Sequence, residues 1–199
     1  MDMETTLIDL IRHGEPEGGR MFRGSTNHPL SSRGRDQMLQ AVADDGGWEA
    51  VVTSPLARCA DFAQDLADAR GIPLETAPAL REMDFGAWEG RTADDILTNG
   101  PGDLAGFWAD PERAQAPDGE SLAAFRDRVS AGWAGLLERY AGRHVLVVGH
   151  GGVIRVVIAE VLGLPLANLF RIEVGYANRT RLRAEADAPP RLVAHGGQS

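Results

Sequence analysis

The sequence predicts a three-layer α/β/α sandwich, in which a mostly parallel central sheet lies between helices and carries a small cap segment. Strand-like and helix-like segments alternate along most of the chain, which is typical of sheets covered on both faces. Two apolar runs also end in histidine followed by glycine, at His13-Gly14 and at His150-Gly151. Open α/β sheets bind ligands beyond the carboxyl ends of their strands, so we expect both histidines at one site.

Apolar periodicity and helix-capping signals give the order of the elements. Strands are expected at about 6–12, 50–53, 74–76, 144–149, 169–175 and 178–185. Helices are expected at about 32–44, 56–70, 92–98, 103–109, 121–140 and 153–162. The last two strands should pair as an antiparallel hairpin that turns at about 175–178, and the tail containing Pro189-Pro190 should be frayed. One domain is expected over residues 1–199, with a cap-like insertion at about 83–120.

Composition and charge exclude several classes of protein. The chain has 199 residues and a formal net charge of −9, with a pI near 5.0, so its field repels nucleic acid and anionic membranes. Its single cysteine, Cys59, rules out an intrachain disulfide. No apolar run is long enough to span a membrane, and no basic leader precedes one. These features predict a soluble, cytoplasmic protein that binds neither nucleic acid nor membrane.

The first histidine motif, Arg12–Glu15, has the groups that phosphoryl transfer requires. Neutral imidazole is a nucleophile near neutral pH, and the Arg12 guanidinium can compensate the charge of a phosphoryl group through paired donors. Gly14 allows an anion to approach the backbone closely. The alternative for His13 taken alone is a strand-end histidine that only satisfies a hydrogen bond.

Three further elements belong to the same chemistry, each with a plainer alternative. Arg58 follows a predicted strand by one helical turn and can reach an anion at the sheet edge, or it is a surface arginine. His150 and the N–H group of Gly151 begin a helix, which favours anions, or they form only a tight turn. A loop carboxyl can protonate a leaving oxygen. The chemistry leaves the choice of acid open among three residues, Glu82, Asp84 and Glu89.

The order and spacing of these motifs resemble the histidine phosphatase superfamily, also called the phosphoglycerate-mutase-like family. The resemblance covers nearly the whole chain and involves the following runs: Arg12–Glu15, Gly24–Ser31 with Gly34, Ser54–Arg58, Glu82–Gly90, Pro117–Ser121 and His150–Arg155. Within this superfamily, the chain looks most like short bacterial phosphatases such as α-ribazole phosphatase.

The resemblance implies a role for each candidate residue. His13 would be the nucleophile that becomes phosphohistidine, and Glu82 would be the general acid. The phosphoryl oxygens would be bound by Arg12, Arg58 and His150. Substrate-binding positions would be Gly14, Gly24, Ser25 and Gly151. No metal or other cofactor is implied, because the arginines and His150 supply the positive field.

One position departs from the family pattern. An asparagine often follows the glutamate of the first motif by four residues, and here that position is Gly19. A side-chain donor to the phosphate is therefore missing, or a backbone N–H or Ser25 replaces it.

The leading hypothesis is a metal-independent phosphomonoesterase that acts on a small phosphorylated metabolite. A mutase is disfavoured, because segment 83–119 has only Arg91 and Arg113 against many acidic residues and holds a second phosphate poorly. A non-catalytic phospho-ligand-binding module is disfavoured because the five central residues are all present. A phosphoprotein phosphatase stays open. Phe107 and Trp108 either line the leaving-group pocket or pack within the cap. The apolar face of 121–140 is either core or the surface of a homodimer.

Overall fold

The computed structural model describes residues 5–44 and 46–196. Within them, one sheet is formed by Thr6–Arg12 (β1), Ala50–Thr53 (β2), Leu74–Thr76 (β3), His144–Gly149 (β4), Arg179–Glu185 (β5) and Ala188–His195 (β6). The α-helices are Ser32–Ala41 (α1), Ala57–Arg70 (α2), Ala93–Asn99 (α3), Leu104–Ala109 (α4), Leu122–Arg139 (α5) and Gly151–Leu162 (α6). Short 3-10 helices lie at Pro78–Leu80, Gly86–Trp88 and Leu166–Arg171.

The strand order in the sheet is β3-β2-β4-β1-β5-β6. Strands β3, β2, β4 and β1 are parallel, whereas β5 and β6 are added to β1 in antiparallel orientation. The chain leaves β1 toward β2 and leaves β4 toward β5, so the direction of winding reverses between these two central strands. Such a reversal opens a crevice at the carboxyl ends of the strands.

Two separate apolar cores cover the faces of the sheet, which confirms the three-layer fold class. Residues of β1 and β4 alternate between them, with Leu10 and Val147 in the larger core and Ile11 and Val148 in the smaller one. The larger core includes the buried sides of α5 and α6, and the smaller one includes those of α1 and α2. Central strands buried on both faces explain the near-continuous apolar runs in the sequence.

Local signals explain where several helices begin and end. The Ser31 side chain accepts a hydrogen bond from the Gly34 N–H at the start of α1, and Ser121 does the same for Ala124 in α5, as expected of N-cap serines. Gly71 and Gly163 end α2 and α6 in the left-handed conformation, which glycine adopts without a steric cost. These boundaries lie close to the predicted ones.

The predicted hairpin near the C-terminus is wrong. Residues 169–175 do not form a strand; they lie partly in the 3-10 helix Leu166–Arg171 and partly in an extended connector. The hairpin instead pairs β5 with β6, so the tail expected to be frayed is an ordered edge strand as far as His195. Pro189 and Pro190 are compatible with this strand because prolines are tolerated on an edge. Residues 197–199 lie outside the described residues.

The segment at 83–120 contains α3, α4 and one 3-10 helix, and its buried apolar side chains join the larger core. Trp88 and Phe107 are fully buried and lie in ring contact, with centroids 5.4 Å apart. Phe107 therefore packs within the core, whereas Trp108 is 47% exposed. In the described residues, no helix is long and apolar enough to cross a membrane.

Candidate active site

The register of β1 and β4 brings the two motif histidines together. Arg12 lies opposite Gly149 in this parallel pair, so the residues that follow each strand are neighbours. The His13 N–H donates to the Gly149 carbonyl at 2.9 Å, and the His13 and His150 ring centroids lie 5.2 Å apart at an interplanar angle of 68°. Two positions separated by 137 residues therefore share one crevice.

The hydrogen bonds of His13 determine which ring nitrogen is available. Nδ1 lies 2.7 Å from the Gly14 carbonyl oxygen, and a carbonyl only accepts, so Nδ1 carries the proton. Burial, followed by the charges of Arg58 and Arg12, holds the His13 pKa well below its usual value. The ring is therefore neutral near pH 7, with the lone pair of Nε2 free to act as a nucleophile.

Gly14 has a packing role in addition to the anion-binding role expected from the sequence, which stays a prediction. A Cβ at Gly14 would overlap the carbonyl oxygen of Gly34 in α1. The missing side chain thus allows α1 to pack against the first motif, and this contact fixes the carbonyl that orients His13.

Two arginines close to the motif histidines carry buried donors that have no partner among the described residues. Nε of Arg12 and Nε of Arg58 are both buried without a hydrogen-bond partner. No carboxylate of the described residues forms an ion pair with either guanidinium. Buried donors without partners are costly, and guanidinium groups remain charged even where burial lowers their pKa. The pair is therefore arranged for an anion.

Backbone carbonyls aim both guanidinium groups. Arg12 donates through Nη1 to the Val174 carbonyl at 2.6 Å and lies over the Tyr176 ring, 4.2 Å from its centroid. Arg58, which is 0% exposed, donates to the Thr26 carbonyl at 2.8 Å and to the Gly24 carbonyl at 2.9 Å. These contacts use terminal nitrogens and leave Nε of both arginines without a partner among the described residues. The burial of Arg58 shows that it is not a surface arginine.

His150 is fully buried at the N-cap of α6. Its Nε2 lies 2.7 Å from Ser54 Oγ. Within the described part of the chain, the contact of Nδ1 is the Cys59 sulfur at 3.9 Å. Burial, then the charges of His13 and Arg58, lowers the His150 pKa well below its usual value. The ring is held by Ser54 and can offer its other nitrogen to a ligand beside the helix N-terminus, where Gly151 lies.

Three carboxylates were open candidates for the acid, and the structure separates them. The Glu82 side chain accepts from its neighbour Met83 N–H at 3.0 Å and from the Gly152 N–H of α6 at 3.1 Å. It therefore lies at the α6 N-terminus, beside His150. Asp84 accepts from the Gly86 N–H at 2.8 Å and organises its own loop.

Glu89 binds the loop that carries Gly24 and Ser25. Its carboxylate accepts the N–H groups of Gly24 (2.8 Å), Ser25 (2.9 Å), Phe85 (3.1 Å) and Thr26 (3.1 Å), together with the Thr26 hydroxyl (2.5 Å). Burial raises the Glu89 pKa, but these hydrogen bonds together lower it below its ordinary value. Glu89 is thus ionised, and it holds residues 24–26 in place through these hydrogen bonds.

The same contacts change the expectation for Gly24 and Ser25. Their amides, which were candidates for substrate binding, are bound to Glu89, and a Cβ at Gly24 would overlap the Met83 carbonyl. The Ser25 hydroxyl is 3.4 Å from Asp84 Oδ1. Substrate binding by these two residues stays a prediction.

The position of the missing family asparagine carries no replacement side chain. Gly19 has φ of +73°, and nothing lies within 4 Å of where its Cβ would be. Its carbonyl accepts from Arg23 Nη2 at 3.0 Å. The Arg23 charge is a smaller contribution to the lowered His13 pKa, after burial and the charges of Arg58 and Arg12.

Several residues of the site were not singled out by the sequence. Ser54 contacts His150, and Tyr176 lies in ring contact with His13. Arg155 Nη1 lies 3.2 Å from where a Cβ of Gly151 would be. Ser54 and Arg155 lie within the quoted motifs, whereas Tyr176 follows the mispredicted strand. Among the described residues, no group of three or more His, Cys, Asp or Glu side chains is arranged to hold a metal ion.

The crevice therefore contains a neutral nucleophilic imidazole, a second imidazole, two unpartnered guanidinium donors and a carboxyl group. These are the kinds of groups that phosphoryl transfer requires. Residues 8–196 match the model of the histidine phosphatase superfamily (branch 1), and the chain belongs to this family.

Relatives with two kinds of name resemble the chain. It is 31% identical over 172 residues to the adenosylcobalamin/alpha-ribazole phosphatase of Escherichia coli (strain K12), covering 83% of this chain and 85% of that protein. It is 32% identical over 162 residues to the probable phosphoglycerate mutase GpmB of Enterobacter sp. (strain 638), covering 79% and 75%. The structure of a mycobacterial glucosyl-3-phosphoglycerate phosphatase superimposes with a TM-score of 0.84 at 28% identity, covering 97% and 99%.

Proposed function

We propose that this protein is a phosphomonoesterase that hydrolyses a small phosphate ester through a phosphohistidine on His13, without a metal ion. The observation that carries the proposal is the pair of buried, unpartnered Nε donors of Arg12 and Arg58 beside a neutral His13. A phosphoryl group satisfies both donors and stands next to the nucleophile. Positive charge fixed in this way stabilises the transferring group, which is the task of Mg²⁺ in other phosphoryl-transfer enzymes.

In the first step, the Nε2 lone pair of His13 attacks phosphorus while the bond from phosphorus to the ester oxygen breaks. The protonated carboxyl of Glu82 gives its proton to the departing oxygen, and an alcohol leaves. The products are phosphohistidine and the Glu82 carboxylate.

In the second step, water attacks phosphohistidine. Glu82 takes a proton from this water, the N–P bond breaks, and inorganic phosphate is released. His13 is again neutral and Glu82 is again protonated, so each turnover consumes one ester and one water. The imidazole is a better nucleophile than water in the first step and a better leaving group than an alkoxide in the second, so one difficult step is divided into two easier ones.

Hydrolysis is preferred to the mutase alternative because of the charge around the cap. Segment 83–119 offers Arg91 and Arg113 against many carboxylates, and Arg113 is paired with Asp110 at 3.4 Å. A mutase must retain a bisphosphate between two transfers, and an acidic cap opposes this. The α-ribazole and glucosyl-3-phosphoglycerate phosphatases support a small phosphorylated metabolite as substrate. The cytoplasm is the proposed compartment.

The apolar face of α5 does not provide a dimer surface. Its residues are buried in the core, namely Leu122, Phe125, Val129, Trp133 and Leu136. A homodimer through another surface stays a prediction.

The direct test is hydrolysis of p-nitrophenyl phosphate in EDTA by the wild type and by His13→Ala. We expect turnover that survives chelation and is lost in the variant, together with an acid-labile phosphoryl group trapped on the wild type by rapid quench. His144→Gln is the matched control, since His144 lies at the opposite end of β4 and contacts Asp9. Turnover by His13→Ala at the wild-type rate contradicts the covalent route.

A further inference from the structure

One arginine of the crevice is not used by the steps above. Arg155 lies one turn into α6, and a helical side chain of this length points back toward the helix N-terminus. Its Nε donates to the Ile172 carbonyl at 2.8 Å. Neither terminal nitrogen has a hydrogen-bond or ion-pair partner among residues 5–44 and 46–196. A half-buried guanidinium with two uncommitted nitrogens is a strong anion donor.

The position of Arg155 relative to the phosphoryl site follows from Gly151. A Cβ at Gly151 would lie 3.2 Å from Arg155 Nη1 and 3.4 Å from Arg12 Nε. Arg12 Nε is one of the two buried, unpartnered donors, so the free end of Arg155 adjoins the phosphoryl site. A side chain at Gly151 would crowd both guanidinium groups.

Arg155 stands on the acid's side of the site. Glu82 accepts the Gly152 N–H at 3.1 Å, and Arg155 Nη1 would lie 3.2 Å from a Cβ at the preceding residue, Gly151, so both side chains reach the first turn of α6. The nucleophile and the leaving oxygen are roughly in line on opposite sides of phosphorus. Since Glu82 protonates the leaving oxygen, a cation beside Glu82 faces the leaving group.

The cation of the first loop is committed, in contrast. Arg23 uses Nη2 for the Glu17 and Gly19 carbonyls and Nε for His28. Arg155 therefore has the greater donor capacity for a second group.

We propose that Arg155 binds an anionic substituent of the leaving alcohol, either a carboxylate or a second phosphate, next to the phosphoryl group. This inference rests on the proposed phosphomonoesterase function. It assigns the substrate class as phosphate esters that carry a further negative charge within a few bonds of the ester oxygen. The acidic cap holds a second phosphate poorly, whereas Arg155 supplies a cation from α6.

The test compares matched pairs of esters. Phosphoglycolate and ethyl phosphate differ by a carboxylate, and propane-1,3-diol bisphosphate and propyl phosphate differ by a phosphate. We expect the wild type to prefer the charged member in kcat/KM, and Arg155→Met to reduce that preference about 10- to 100-fold, as for the loss of a charge-assisted hydrogen bond. Arg155→Lys should restore part of it. The pair with the larger Arg155-dependent preference identifies the substituent.

The control is Arg126→Met, which makes the same change of net charge on α5, where Arg126 is paired with Asp127. An unchanged preference in Arg155→Met would overturn the proposal. If kcat/KM also fell equally for both members of each pair, the role of Arg155 would be only to hold the Ile172 carbonyl.

A binding arm separates this inference from the proposed function. Calorimetry on His13→Ala, which cannot consume the ester, measures the affinity ratio within each pair with and without Arg155→Met. If the wild type hydrolyses nothing yet the affinity ratio depends on Arg155, the proposed activity fails and the anion subsite stands. If hydrolysis occurs and neither ratio depends on Arg155, the subsite fails alone.

Discussion

Glu89 and Arg58 bind the same short loop from opposite sides, although their side chains share no hydrogen bond. Glu89 accepts the amides of residues 24–26, and Arg58 donates to the carbonyls of Gly24 and Thr26. Peptide groups that are fixed at one end by a carboxylate aim a buried guanidinium at the other. The position of Arg58 at the phosphoryl site therefore depends on the position of Glu89, through the loop that both residues bind.

Replacing Glu89 by glutamine should weaken catalysis through Arg58. Glutamine offers one uncharged acceptor where the carboxylate binds five donors, so the loop loosens and Arg58 loses its alignment. We expect kcat/KM to fall about 10- to 100-fold, as for the loss of hydrogen bonds to a charged group. A double-mutant cycle with Arg58→Lys should be non-additive. Glu138→Gln, on an exposed position of α5, is the control, and additive effects would argue against coupling through the loop.

Replacing Glu82 by glutamine should slow poor leaving groups most. A general acid contributes about 10²- to 10⁴-fold when the leaving oxygen needs a proton, whereas p-nitrophenolate leaves without one. Rates measured across aryl and alkyl phosphates should therefore depend more steeply on leaving-group pKa in Glu82→Gln. Asp84→Asn serves as comparison, because Asp84 caps its own loop. The same slope in wild type and Glu82→Gln would remove Glu82 as the acid.

Stability should fall below about pH 6.5. His13 and His150 have folded-state pKa values lowered by burial, while an unfolded histidine titrates near 6.5. The unfolded state thus takes up protons that the folded state does not, and stability present above this pH is lost as pH falls toward the folded pKa values. Together, the two histidines should lower the free energy of unfolding by about 2 kcal/mol when the pH falls from 6.5 to 5.5. Urea unfolding at both pH values measures this change in stability. The double variant His13→Asn, His150→Asn should show a weaker dependence of stability on pH. The same dependence in the wild type and the double variant would contradict the prediction.

Two glycines of the first loop should respond differently to alanine. Gly14→Ala places a methyl group on the Gly34 carbonyl, which should cost at least about 3 kcal/mol of unfolding free energy. Gly19→Ala meets no atom within 4 Å and should cost only about 1 kcal/mol, for its positive φ. Denaturant unfolding of the pair distinguishes packing from backbone strain. Similar losses in both variants would mean that α1 moves to accommodate the methyl group.

Much of the fold could be predicted because the central strands are buried on both faces. Continuous apolar runs such as 145–148, together with capping signals such as Ser31 and Gly71, appear directly in the chain. The prediction of a strand at 169–175 failed because apolar and polar residues alternate there as they do in a strand. The packing of this stretch against α4 and α6 is not visible in the sequence. Phe170 lies in ring contact with Phe107 there, with centroids 5.3 Å apart.

The sequence by itself determined the fold class and the chemical types at the site, because motifs at strand ends depend on local periodicity and on residue identity. Only the tertiary structure decided which groups are committed and which are free. It showed that Glu89 binds a loop, that Gly14 admits α1, and that Nε of Arg12 and Arg58 and the terminal nitrogens of Arg155 have no partner among the described residues. Hydrogen-bond partners come from segments far apart in the chain, and spacing along the sequence does not encode them.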